Sequence, residues 1–329
     1  MDLAITIVIS NERSIKMKVV VIKGGPSKER EISLRTGATF ERSTQSLGYE
    51  LHSFDLKTDN WQDFIAFIEY VKPDIILNAL HGTFGEDGTI QTLLDEKGFL
   101  YTHSSAEVSA LAMDKMKSKE IFQKHEIPVP FGKIVNINAL DLENPPLPFP
   151  FILKPIAQGS TFGVFLIHSS KDLETAIQTW DDGPYGLMEQ WIQGRELTVS
   201  IIDHDILGIA EILTPHDFYD YESKYTPGIA TRLVPAPLTE KEKKILSALA
   251  IKAHKALGCT GLARSDFMYD GNTFYILEVN TQPGFTETSF AVVHAKQQGI
   301  PIEQLVKRII DSAFENRLSN NLLSKQIVG

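Results

Sequence analysis

The chain has 329 residues, with 42 acidic against 32 basic side chains, a formal net charge of −10 and 43% hydrophobic residues. Its mean hydropathy is −0.08. These figures describe a folded chain with a sizeable core and room for more than one domain, exclude a disordered chain, and oppose the phosphate attraction on which nucleic-acid binders rely. The single cysteine, Cys259, can form neither an intramolecular disulfide nor a multi-cysteine metal site, so the cytoplasm is the expected compartment.

The apolar run near Met1 has no basic segment before it, and Asn11, Glu12 and Arg13 stand where a signal sequence needs small residues. Residues 1–16 are therefore expected to be a dispensable extension. No stretch approaches the roughly 20 apolar residues of a membrane span. From Lys18 strands and helices alternate. Val19, Val20, Val21 and Ile22 form the continuous apolar run of a strand buried on both faces in a parallel sheet. A helix is expected from an N-cap at Ser33 to Leu47, with Gly48 at the left-handed position after it. Tyr49–Phe54 reads as a strand, Trp61–Val71 as an amphipathic helix and Asp74–Ala79 as a third strand, which completes a βαβαβ unit. Ligand loops of such sheets follow the strand ends, and there stand Gly24–Glu31 and His81–Gly88. Neither is a dinucleotide fingerprint or a Walker P-loop, so any nucleotide is held another way.

The composition changes after Lys115, and seven of the 16 prolines lie between Pro128 and Pro155. Phe149–Lys154 and Gly163–His168 read as a hairpin whose small-residue tip, Pro155–Phe162, has amides able to cover phosphates, with Lys154 at its base. A plain surface hairpin is the competing reading. Thr214–Leu233, rich in tyrosine, reads as a lid or binding loop.

The sharpest constellation lies in Ala263–Asp270 and Phe274–Asn280, two alternating strands joined by Gly271-Asn272-Thr273. A three-residue loop sets Asp266 opposite Glu278 and Arg264 opposite Asn280, all four on one face. Facing carboxylates repel unless a cation lies between them. With the Asn280 amide they form a set of hard oxygen donors suited to Mg²⁺ bridged to phosphates; a salt bridge from Arg264 is the alternative.

Seven segments in order carry a resemblance. They are Gly24-Gly25 with Ser27, Glu29-Arg30-Glu31 and Ser33; Leu80–Gly88; Ala112-Met113-Asp114-Lys115; Lys154-Pro155 with Gly159-Ser160; Tyr219, Tyr221, Lys224 and Tyr225; Arg264 with Asp266; and Glu278, Asn280-Thr281 and Pro283-Gly284. The chain thereby resembles the ATP-grasp superfamily, and within it the D-alanine–D-alanine ligases, from Lys18 to about Ile310. It departs from the family's usual residues at Thr161, Phe162, Phe285, Glu287 and Thr288, and after Tyr225.

The resemblance implies an α/β chain: an N-terminal Rossmann-like parallel-sheet domain (17–111), then an ATP-grasp fold of a central lobe (112–190) and a C-terminal lobe (191–329), with antiparallel sheets and a lid loop at 214–233. It implies ATP between those sheets, with Lys115 and Lys154 on its phosphates, Lys224 beside it, and Glu189 and Glu196 on adenine and ribose. Asp266, Glu278 and Asn280 would hold two Mg²⁺ ions, with Mn²⁺ an alternative. Glu29 would bind the ammonium of the first D-alanine, linked through Ser160 and Tyr225, with His81 nearby. Ser289 and Phe290 would hold the carboxylate of the second, and Arg264 with the Gly284 N–H would stabilise the oxyanion. The implied partners are D-alanine, ATP and a second copy of the chain as a homodimer, with no nucleic acid or membrane. Two other readings stay open. One is another carboxylate–amine or D-lactate-adding ligase of the same fold; the other is a catalytically silent nucleotide-binding protein.

Overall fold

Four consecutive apolar residues leave the first strand no polar side, so it must be covered on both faces. The computed structural model, which describes residues 16–57, 61–159, 163–214 and 231–327, shows that cover. Strand β1 (Lys18–Gly24) lies in the middle of a parallel sheet, between β2 (Glu50–Leu56) and β3 (Ile75–Asn78). Val20 and Ile22 pack with Phe64 and Ile68 of helix α2 (Gln62–Val71). Val19 and Val21 face the other way, onto Phe40 of helix α1 (Arg30–Ser46) and a cluster that includes Leu305, Val306 and Ile309 of the last helix, Ile302–Ile327.

Helix α1 begins three residues before the expected N-cap. Ser33 lies inside the first turn, fully buried, and its hydroxyl accepts the Gly24 N–H at 2.7 Å. The serine is thus used by the preceding strand end rather than by the helix, and Glu29 takes the cap position without a side-chain cap bond. Gly24 itself has φ +91°, and a Cβ there would stand 2.4 Å from the Asp55 carboxylate. That space is taken by Arg30, which donates to Asp55 at 2.8 Å and to the Leu56 carbonyl at 2.7 Å. At the other end of α1, Gly48 has the expected left-handed backbone.

Two antiparallel sheets follow. One has the order β4-β7-β5-β6 and consists of β4 (Gly132–Asn136), β5 (Phe151–Lys154), β6 (Phe165–Ile167) and β7 (Tyr185–Gln190). The other has the order β10-β9-β8-β11-β12 and consists of β8 (Arg195–Ile202), β9 (Asp205–Leu213), β10 (Thr231–Leu233), β11 (Leu262–Tyr269) and β12 (Phe274–Asn280). Helix Glu240–Leu257 starts at a Thr239/Glu242 capping box and ends at left-handed Gly258. Its Leu246, Ala250 and Ala253 pack on Leu197, Val199 and Phe267 of this larger sheet. Among the described residues no helix is long and apolar enough to cross a membrane.

The same helix buries His254 completely, with neither ring nitrogen hydrogen-bonded and His204 edge-on at 6.1 Å. Burial, with some help from His204, pushes its imidazole down to about 4. The native ring is therefore neutral where the unfolded one takes a proton, so the stability this site holds above its unfolded value is lost as pH falls toward 4. At pH 5 the loss is roughly 2 kcal/mol. His103 and His294, also pushed down to about 4 by burial, act in the same direction. His81 acts oppositely: burial disfavours its charge, but Glu86 outweighs this and raises it. Urea unfolding should show a lower midpoint at pH 5 than at pH 7.5, with a smaller difference in His254→Leu. Equal midpoints in the wild type would remove the buried neutral imidazole.

Candidate active site

Asp114 is the residue that orients the first cations. Its carboxylate accepts the backbone N–H groups of Met116 and Lys117 at 3.1 and 3.0 Å, which starts helix α3 (Lys115–Lys124). Lys115 is therefore the first helical residue, and Lys119 lies one turn on, on the same face. Both are buried. The Lys115 ammonium donates to the Gln158 carbonyl at 2.5 Å and lies 3.6 Å from Glu278. Lys119 pairs with Glu189 and donates to the Pro130 carbonyl at 3.1 Å. Lys154, at the end of β5, reaches the other Glu189 oxygen at 2.7 Å. Glu189 thus lies between two lysines. Burial alone would raise its carboxyl, but Lys154 and Lys119 outweigh burial and hold it below the usual range. Desolvation pushes Lys119 down to about 8 and lowers Lys115 despite Glu278.

The acid pair occupies the expected register by an unexpected route. At the hairpin tip Tyr269 pairs with Phe274, so the connection has one residue more than the three expected, and Asp270 accepts the N–H groups of Asn272 and Thr273. Continued unbroken, that register would set Asp266 opposite Leu277. A bulge between Asp266 and Phe267 leaves Leu277 out of the ladder and restores Asp266↔Glu278 and Arg264↔Asn280. Asp266 is gripped by Arg264, Nε at 2.9 Å and a terminal nitrogen at 2.8 Å, and accepts the Thr198 hydroxyl at 2.6 Å. The salt bridge and the acid pair are therefore both present.

Lys115, Lys154, Glu189, Asp266 and Glu278 line one cleft between the two antiparallel sheets. Ile152 and Val164 on one side and Met268 and Leu277 on the other give it apolar walls. Lys115, Lys154, Asp266 and Glu278 supply charge, and Glu189, Gln190 and Glu196 supply acceptors. Apolar walls with a few convergent polar groups describe a small-molecule site, and this one suits a flat heterocycle carrying phosphates.

A family model described as the D-alanine–D-alanine ligase C-terminus matches residues 135–311. The chain is 41% identical over 297 residues to the D-alanine–D-alanine ligase of Rhodospirillum rubrum, covering 90% of this chain and 98% of that one. It is 40% identical over 306 residues to that of Thermotoga maritima, with 91% and 98% covered. The crystal structure of the D-alanine–D-alanine ligase from Bacillus anthracis complexed with ATP superposes with a TM-score of 0.80 at 30% identity, covering 92% of this chain and 99% of that one. The chain belongs to the D-alanine–D-alanine ligases. Its fold is the ATP-grasp fold behind a parallel sheet, as the resemblance implied.

Glu29 and His81 lie near each other, close enough for the Glu29 charge to help raise the His81 imidazole. A Cβ on Gly82 would meet the Glu29 carboxylate at 2.8 Å, and one on Gly159 would lie 3.8 Å from it. Glu29 thus stands where three loops meet. His81 is buried, with Nε2 2.9 Å from the Thr36 hydroxyl and Nδ1 3.0 Å from Glu86, so it is fixed from both sides. Gly284 lies beside Ser289, whose hydroxyl accepts the Thr286 N–H at 2.9 Å. Phe290 opens the helix Phe290–Gln297, and the Arg232 guanidinium covers its ring at 4.4 Å. Ser160, Lys224 and Tyr225, most of the 214–233 loop and all of 1–16 but Lys16 lie outside the described residues. Lys119, Thr198 and Gln282 were missed by the sequence reading. Only Lys119 had a local signal, its one-turn spacing from Lys115.

The donor set fits Mg²⁺ of one kind. Two carboxylates and an amide are hard ligands but too few for a dedicated cage, and among the described residues no cluster of three or more His, Cys, Asp or Glu could hold a metal. Such a set suits ions that complete their shell with nucleotide phosphates.

Proposed function

We propose that this chain joins two D-alanine molecules at the expense of ATP, supplying D-alanyl-D-alanine for peptidoglycan precursors, and works in the cytoplasm as a homodimer built from the three domains bounded near residues 112 and 191. The observation that carries the reading is the Asp266–Glu278 pair facing Lys115 within a cleft lined by Lys154. The chemistry needs that arrangement. A carboxylate resists attack by an amine because oxide is a poor leaving group. The first D-alanine therefore attacks the γ-phosphorus of ATP through a carboxylate oxygen, ADP departs, and an acyl phosphate forms.

Lys115 and Lys154 neutralise negative charge on the phosphates, and Glu196 with Gln190 offers acceptors to ribose and adenine. Glu189 accepts from adenine while holding Lys154 in place. Asp266, Glu278 and Asn280 would hold two Mg²⁺ ions, which supply further charge neutralisation at the transferring phosphoryl group. Glu29 binds the ammonium of the first substrate, and His81, held by Thr36 and Glu86, lies beside it. The second D-alanine is bound by its carboxylate at Ser289 and the Phe290 N–H, where a helix begins. Its free amine attacks the acyl carbon, the oxyanion is stabilised by Arg264 and the Gly284 N–H, and phosphate leaves with the amine's proton passing to solvent. By the resemblance Ser160 and Tyr225 would link to Glu29 and Lys224 would bind ATP, and excluding water would protect the acyl phosphate from hydrolysis.

Phosphate release measured with D-alanine, L-alanine and D-lactate, with products identified by mass, tests this. D-alanine should drive release and give D-alanyl-D-alanine. A depsipeptide formed in preference with D-lactate would move the chain to the ester-forming ligases, and release indifferent to D-alanine would end the ligase reading.

A further inference from the structure

Three side-chain amides, Asn78, Gln91 and Gln282, are buried to within 2% of completely. They form one hydrogen-bonded chain. Gln91 and Asn78 both donate to the Gly85 carbonyl, at 2.8 and 3.2 Å, and Asn78 donates again to the Gln282 side-chain oxygen at 2.8 Å. The Asn78 oxygen accepts the Leu80 N–H at 3.1 Å, and the Gln282 amide donates to the Leu80 carbonyl. Gln282 stands two residues past the end of β12, and its own backbone N–H donates to the Asn280 side-chain oxygen at 2.8 Å. One residue therefore touches both halves of the site: its side chain holds the strand end and loop that carry His81, and its main chain orients the amide of Asn280.

We propose that Gln282 is a positioning residue: its side-chain amide, anchored on Asn78 and Leu80, sets the separation between the Asn280 end of β12 and the His81 loop. This rests on the ligase reading, because those two places are then the phosphoryl donor's side and the acceptor carboxylate's side. An apolar side chain would fill the same space but would fix no direction, whereas an amide used at both ends fixes distance and orientation together. Transfer between two bound groups is sensitive to such placement, and an error of about 1 Å can cost about a hundredfold.

The test uses the whole chain with ATP, Mg²⁺ and D-alanine, and Mn²⁺-ADP binding by calorimetry as a second readout. Gln282→Met keeps volume but removes both hydrogen bonds. It should lower kcat for dipeptide formation about 10- to 100-fold, while KM for ATP and Mn²⁺-ADP binding change less than about twofold, since the cleft itself is untouched. The double variant Gln282→Met with Asn78→Leu removes both ends of the Asn78–Gln282 bond, so it should recover the part of the stability lost to an unpaired Asn78 amide. It should not recover the part lost at Leu80, whose carbonyl and N–H then lack side-chain partners, and it should not recover kcat. Gln282→Asn, too short by one methylene to span both contacts, should show the same split and covers the case in which the apolar variants fail to fold. A kcat within about twofold of wild type in a folded variant, or a double variant that regains rate as well as stability, would make the amide chain merely structural. A wild-type chain without D-alanine-dependent phosphate release would instead count against the ligase reading.

Discussion

Glu278→Gln should yield a folded protein that turns over ATP and D-alanine at least about a hundredfold more slowly, the scale set by removing one preorganised charge-stabilising group from a transition state. The substitution keeps the shape of the side chain and deletes its charge. Glu278 is 27% exposed at its side chain, so it has no deep packing role and the thermal midpoint should change little. Two consequences act at once. A charged oxygen donor opposite Asp266 is lost, and Lys115, 3.6 Å away, loses the carboxylate that counters its desolvation. Raising Mg²⁺ should restore part of the rate, because a weakened ligand set fails first in affinity. Phosphate release at saturating D-alanine, with circular dichroism to confirm folding, checks this. A rate near wild type would remove Glu278 from the phosphoryl-transfer machinery.

Glu189→Gln should have its largest effect on stability. Glu189 is 2% exposed and faces both Lys154 and Lys119, so its neutralisation leaves two buried ammonium groups without their shared anion. Breaking a buried ion pair from one side typically costs about 3–5 kcal/mol. The pH dependence of that loss has a definite sign. Lys119 is already pushed down to about 8 in the wild type, and without Glu189 it falls further. A lysine whose native value lies below its unfolded value gives up its proton on folding, so the variant regains stability as pH rises from 7 toward 9. Urea unfolding at the two ends of that range reads both effects. A midpoint equal to wild type at pH 7 would show that water, not Glu189, satisfies the lysines.

Much of the site was legible because it is local. Lys115 is carried by the four-residue segment Ala112-Met113-Asp114-Lys115, and the structure starts a helix there on the Asp114 cap. The Asp266–Glu278 pairing followed from alternation along two strands and a short connection. That pairing is right, but the connection is longer than read, and the extra residue is absorbed by the bulge at Leu277. A bulge is a property of the assembled ladder, so strand spacing could not place it. Ser33 shows the converse: it has the chemistry of an N-cap, yet the hydroxyl is taken by Gly24 across the turn. Thr198 reaches Asp266 from a neighbouring strand, and Gln282 reaches Asn78 from 204 residues away. Neither has a signal in its own neighbourhood.

The sequence by itself determined the parallel first sheet, the acid pair and the loops at the strand ends, because apolar periodicity and loop chemistry act over a few residues. The two antiparallel sheets and the place of Lys115 were implied by the family resemblance. Only the tertiary structure decided what covers β1. One face of that strand is sealed by Leu305, Val306 and Ile309, from a helix almost 300 residues downstream, so the chain's last element returns to its first sheet. An apolar stripe states that a surface must be buried and says nothing of the partner, because the hydrophobic effect has magnitude without direction. The directional groups, Gln282 with Asn78 and Glu189 with its lysines, choose the partner, and they meet only once the sheets have packed.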